Sequence, residues 1–171
     1  MFFAKMSKVT KKEEKFEFAK TVLCGPLKGT PYTEKVLRTT REILSVNEGT
    51  GVKHGLCITI KDVECFSLVW NPLKQSLVEQ KTGTRQEISE TYVDGIIAGV
   101  VVKKNFSFSV KRQEYVLVST STMEYKDGKK NGVYRAVNGD GELVIFHEFL
   151  DGELWGRQIE LPKPSRTALS K

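Results

Sequence analysis

Long apolar runs are missing from this 171-residue chain. No stretch approaches the roughly eighteen apolar residues that cross a bilayer as a helix. The opening Met1-Phe-Phe-Ala gives way at once to Lys5 and then to Lys11-Lys-Glu-Glu-Lys15. Neither a transmembrane segment nor a secretory leader is therefore expected, and the chain reads as cytoplasmic. Histidine is scarce, with only His54 and His147, so a histidine-based metal centre has few ligands to draw on. Cys24, Cys57 and Cys65 are an odd set with neither metal-ligand nor redox spacing, which predicts reduced thiols and no disulfide framework. What remains is ordinary for one globular domain: 39% apolar residues, 28% charged, and a net charge of +6.

Glycine is present in quantity and in order. Tyr92-Val-Asp94-Gly95-Ile-Ile-Ala-Gly99, Tyr125-Lys-Asp127-Gly128-Lys-Lys-Asn-Gly132 and Phe149-Leu-Asp151-Gly152-Glu-Leu-Trp-Gly156 repeat one phrase: aromatic, any residue, Asp-Gly, and a second Gly four positions on. Asp-Gly favours a two-residue type I′ turn, because both central residues need positive φ. Each phrase should reverse a strand. With Asp127-Gly128 as the turn, Lys126 faces Lys129 and Tyr125 faces Lys130, and the period of two puts Tyr125, Lys130, Gly132 and Tyr134 on one face. Glycine within a strand costs roughly 0.5 to 1 kcal/mol, so the second glycine must be used. An aromatic ring lying over the bare backbone and a strand-bending bulge are the two candidates.

Weaker copies precede these. Gly51-Val-Lys-His54-Gly55 keeps the glycine spacing, and Val69 to Ser76 keeps the length with Pro72 and Ser76 in the glycine places. Lys81-Thr-Gly83 and Asn138-Gly139-Asp140-Gly141 read as turns midway through the units, returning the chain for the next hairpin. The long interval between the Gly95 and Gly128 phrases leaves room for an insertion in 103–122, whose Phe106-Ser-Phe108-Ser-Val110 alternates like a strand. Residues 1–45 form a charged arm and capping segment, with a strand expected to begin near Phe16 and a loop over Gly25–Pro31. Within that segment, 33–46 fits either a helical face or the outer strand of a first hairpin, and the strand is favoured because the repeat needs a partner there. The repeats occupy 46–160, and the Pro-containing tail 161–171 should leave the sheet.

The phrase, followed at Asn138 to Leu143 by an Asn-Gly-containing turn, resembles the MORN repeat in its aromatic-x-Asp/Asn-Gly-x-x-x-Gly-x-aromatic variant. Tyr125 to Tyr134 match best, Phe149 to Gly156 match well, and Tyr92 to Gly99 match in the turn but lack the later aromatic. Short, degenerate units behind a Lys-rich start resemble the expanded MORN sets of marseillevirus-type giant DNA viruses. The resemblance implies a mainly β fold, an elongated, twisted antiparallel sheet of successive hairpins with an N-terminal cap. It also implies a non-catalytic structural or scaffolding module with protein partners, in a virion or the host cytoplasm, and no cofactor.

The residues themselves name few chemical candidates. Asp94, Gly95, Gly99, Asp127, Gly128, Gly132, Asp151, Gly152 and Gly156 are turn-makers and packers. His54 with Cys57 and Cys65 is the nearest approach to a thiolate nucleophile or partial zinc site, and His147-Glu148 reads better as a strand pair than as an acid-base couple. No catalytic or metal residue is assigned. The net charge, with Lys126, Lys129 and Lys130 at one turn, offers an alternative role in binding nucleic acid or anionic lipid. Basic residues on exposed strands also serve simply to block edge-to-edge pairing. Trp70, Trp155 and Tyr134 are the aromatics to inspect as interface anchors.

Overall fold

The computed structural model describes residues 5–22 and 26–161. Among these every regular element is a strand: β1 (Lys5–Thr21), β2 (Pro31–Asn47), β3 (Gly55–Asn71), β4 (Ser76–Val93), β5 (Ile96–Ile97), β6 (Gly99–Ser109), β7 (Glu114–Lys126), β8 (Lys129–Asn138), β9 (Leu143–Leu150) and β10 (Glu153–Glu160). They form one open antiparallel sheet in the order β1-β2-β3-β4-β6-β7-β8-β9-β10, with the short β5 on β4. Chain order and sheet order agree, so each hairpin is laid beside the last. No helix among the described residues is long and apolar enough to cross a membrane.

The turns are those the sequence calls for. Asp94 and Gly95 have φ of 48° and 84°, Asp127 and Gly128 of 52° and 79°, and Asp151 and Gly152 of 51° and 96°. Positive φ at both central positions is the type I′ requirement. The register follows, with Lys126 opposite Lys129 and Tyr125 opposite Lys130. Of the early copies, Gly51 to Gly55 turns the chain at the same end as the three phrases, with positive φ at both glycines, whereas Asn71 and Pro72 turn β3 into β4 at the opposite end, the place of a midway turn.

Three expectations are corrected. Lys81-Thr-Gly83 is not a turn, because β4 runs straight through it and Gly83 pairs with Glu64. Its missing side chain serves a close approach, since a Cβ there would overlap the Val63 carbonyl and press on the Tyr115 hydroxyl. Residues 103–122 are no insertion but most of the β6–β7 hairpin, so the long repeat interval is taken up by longer strands. β1 begins at Lys5, well before Phe16, and pairs with β2 over its whole length. The N-terminal segment lies at one end of the sheet as its outermost strands. The strand reading of 33–46 holds. Leu161 keeps one bond to the sheet, donating its N–H to the Val144 carbonyl. Cys24 and the tail beyond Leu161 lie outside the described residues.

A single layer has little interior. Among the described residues, Val22, Val46, Cys57 and Met123 are the buried apolar ones, joined by Ser45, Asn47 and Asp62. Ser45, Val46 and Cys57 sit together because the loop after β2 folds back. Gly51 N–H donates to the Asn47 carbonyl, His54 N–H to the Ser45 carbonyl, and Ser45 Oγ to the Leu56 carbonyl.

Candidate interaction surface

The phrase glycines stack the hairpins into a ladder. The turn glycine of each unit donates its N–H to the carbonyl two residues beyond the preceding turn glycine: Gly95 to Lys53 at 2.8 Å, Gly128 to Ile97 at 3.1 Å, and Gly152 to Lys130 at 2.8 Å. Each phrase aromatic lies directly opposite the second glycine of the unit before it, Tyr92 against Gly55, Tyr125 against Gly99, and Phe149 against Gly132. Lysines close two of these junctions by cation–π contact, Lys53 over Tyr92 at 4.7 Å and Lys130 over Phe149 at 4.8 Å.

Of the two explanations offered for the second glycine, the bulge is the one in place; each phrase aromatic is its strand-pair partner, and nothing lies within 4 Å of a Cβ position at Gly99. β8 and β10 bulge around Gly132 and Gly156, whose φ are 107° and 81°. The space within each bulge is taken by a carboxylate, for a Cβ on Gly132 would overlap Glu124 and one on Gly156 would overlap Glu148. Glu148 there accepts the Arg157 N–H. These glutamates directly precede Tyr125 and Phe149, a part of the repeat that the turn chemistry alone did not expose.

One sheet face carries a polar network. Asp62, buried on β3, accepts from Arg85 Nε at 2.7 Å and Arg41 Nη2 at 3.0 Å. Glu64 accepts from Lys81 at 2.6 Å and from the Tyr115 hydroxyl at 3.3 Å. Tyr115 reaches β3 from β7 because Gly83, between them, has no side chain, and it meets Phe108 edge-on at 5.4 Å. Burial, aided by the Glu64 charge, pushes the Tyr115 phenol up to about 12. Burial, with a hydrogen bond to Glu90, does the same to Tyr92. Both phenols are held protonated; Asp62 is matched by Arg41 and Arg85 and Glu64 by Lys81, so the network on that face ties β2, β3, β4 and β7 together.

The chemical candidates are dispersed. His54 Nδ1 meets Asp94 Oδ1 at 3.2 Å across two turns, while the Cys57 thiol, buried, points to the carbonyls of Ser45 and Gly55. Cys65 is half-buried, and burial pushes its thiol up. His147 Nε2 faces Glu160 at 3.2 Å. No group of three or more His, Cys, Asp or Glu among the described residues is placed to hold a metal ion. Lys126 and Lys129 face each other, both exposed, whereas Lys130 is occupied by Phe149.

The three aromatics have different fates. Tyr134 is half-buried beside His147. Trp70 lines a cleft of about 770 Å³ where β2 and β3, paired only as far as Lys35 and Phe66, separate. Trp155 is 64% exposed on the edge strand β10, next to Leu154 at 50%. No protein-family model, curated protein or solved structure matches the chain.

Proposed function

We propose that the protein is a non-catalytic scaffold of MORN-like repeats that acts by presenting sheet edges and faces to other proteins. The observation that carries this reading is surface. Among the described residues only Val22, Val46, Cys57 and Met123 are buried apolar residues, far fewer than a compact domain of this size encloses. Apolar side chains along the strands lie on the surface instead: Leu56, Val93, Val100, Leu154 and Trp155 are all exposed. The repeat resemblance puts forward a virion or capsid-associated component, in the virion or the host cytoplasm, as its setting.

A second reading rests on Lys126 and Lys129. Like charges directly opposite on neighbouring strands destabilise a hairpin, and an anionic phosphate would relieve them. One experiment separates the two. The purified chain, immobilised, is offered a native extract and washed at low and at high salt. Protein retained through the high-salt wash supports the scaffold. Nucleic acid or lipid retained only at low salt, and lost with Lys126→Glu plus Lys129→Glu, overturns it in favour of the anion reading.

A further inference from the structure

Among the described residues the ladder of turns ends on a junction with no strand opposite it. At three successive junctions the same two contacts recur: a turn glycine N–H on the carbonyl two residues past the previous turn glycine, and an aromatic opposite the previous bulge glycine. Counted from the last turn glycine, Gly152, the corresponding positions are Leu154 and Gly156. Both lie on β10, which pairs with β9 on one side and has no strand on the other among the described residues. The acceptor half of a fourth junction is thus already built.

Two features set β10 apart from an ordinary edge. Gly156 holds the same left-handed bulge as Gly132, with the Glu148 carboxylate seated in it as Glu124 is seated at Gly132, although no aromatic stands opposite. Edge strands are commonly blunted by charge, and β1, at the far edge, follows that rule with Lys11–Glu13 and Lys12–Glu14 pairs along its length. β10 carries Glu153, Arg157 and Glu160 as well, but its exposed Leu154 and Trp155 stand beside the Gly156 bulge, whereas the exposed Val9, Phe16 and Phe18 of β1 lie on a strand without a glycine. Where Lys53 and Lys130 cover the incoming aromatic, this junction offers Leu154, as the middle junction offers Ile97.

We propose that β10 is the acceptor edge for a strand of another polypeptide that runs antiparallel to it into an aromatic-x-Asp/Asn-Gly turn, a further unit of the same repeat delivered in trans. The inference rests on the protein-contact reading and names the partner's chemistry. The partner's aromatic packs against Gly156 and Leu154, and its turn glycine N–H bonds the Leu154 carbonyl. A second copy of this chain has no such unit to give, because its three phrases already occupy its own junctions.

The probe is a labelled hairpin with the sequence Leu143 to Arg157, cyclised through its open end because an isolated hairpin is marginal in water. It is titrated onto the full chain, with binding followed by anisotropy and by hydrogen exchange. Binding that protects Glu153 to Glu160, and not β1, is expected. Replacing the glycine equivalent to Gly152 by N-methylglycine exchanges the N–H donor for a methyl group and should weaken binding about tenfold, as should the Phe149→Ala hairpin. Gly156→Val in the full chain should abolish binding, with retained exchange protection of β3 and β4 showing that the sheet is folded. Absence of binding, equal protection of β1, indifference to the N-methyl group, or self-association of the chain through β10 without the hairpin each overturns the proposal. Proteins still retained from native extract by a chain that refuses the hairpin would overturn this inference alone and leave the scaffold reading standing.

Discussion

At the scale of single residues, the two glycines of each phrase answer different demands. Gly128 supplies a turn conformation, and the nearest atom to a Cβ there is Ile96 Cγ2 at a tolerable 3.4 Å. Gly132 combines a φ of 107° with a carboxylate already filling the Cβ position. Gly128→Ala should therefore cost about 1 to 2 kcal/mol through backbone strain alone. Gly132→Ala should cost more, about 2 to 3 kcal/mol, since Glu124 must also move. Combining each with Glu124→Ala in a double-mutant cycle distinguishes them: chemical denaturation should show partial recovery for Gly132→Ala and additivity for Gly128→Ala. Coupling of Glu124 to Gly128 and not to Gly132 would refute the assignment.

At the scale of elements, what was legible in the sequence is what local chemistry dictates. Asp127-Gly128 fixes its own turn and the two pairs beside it, Lys126 with Lys129 and Tyr125 with Lys130, with no knowledge of the rest of the chain, whereas beyond them the bulge at Gly132 moves the register by two residues. Lys81-Thr-Gly83 misleads because a glycine has two uses, turning the chain and admitting a neighbour, and the second depends on Tyr115, which lies 32 residues on and arrives only through the sheet. Glu124 and Glu148 were likewise opaque, because an exposed-looking glutamate beside an aromatic gains meaning only when the bulge opposite it is seen. The Tyr115 bridge over β4 has its own signature. Folding raises the phenol from 10 to about 12, so its stabilising contribution is whole below pH 10 and is lost as pH rises toward about 12. Tyr92 shares that direction. Denaturant midpoints should fall across this window, less steeply for Tyr115→Phe and least for the variant that also carries Tyr92→Phe. An unchanged alkaline slope in the double variant would show that these phenols are not the groups responsible.

At the scale of the whole molecule, the strands of the described residues have sheet neighbours but no second layer. Substantial strand contacts join sheet neighbours only, the condition under which stability becomes a sum of units and junctions and ceases to be all-or-none. Strand length reinforces this, falling from 17 or 18 residues in β1 to β4 to 8 in β9 and β10. The long strands also hold the Asp62 and Glu64 ion-pair network, while β10 is held by β9 alone. Opening should therefore begin at the C-terminal hairpin and travel inward. Native-state hydrogen exchange should find β9 and β10 least protected and β3 and β4 most protected. Gly152→Val, which strains the last turn, should release protection in β9 and β10 while leaving β3 and β4 unchanged. Asp62→Ala, which leaves two guanidinium groups without their shared carboxylate, should lower protection on β2, β3 and β4 together. Uniform loss of protection along the sheet from Gly152→Val would mean that the ten strands unfold as one unit, and that a terminal junction on β10 is stabilised by something other than its neighbour.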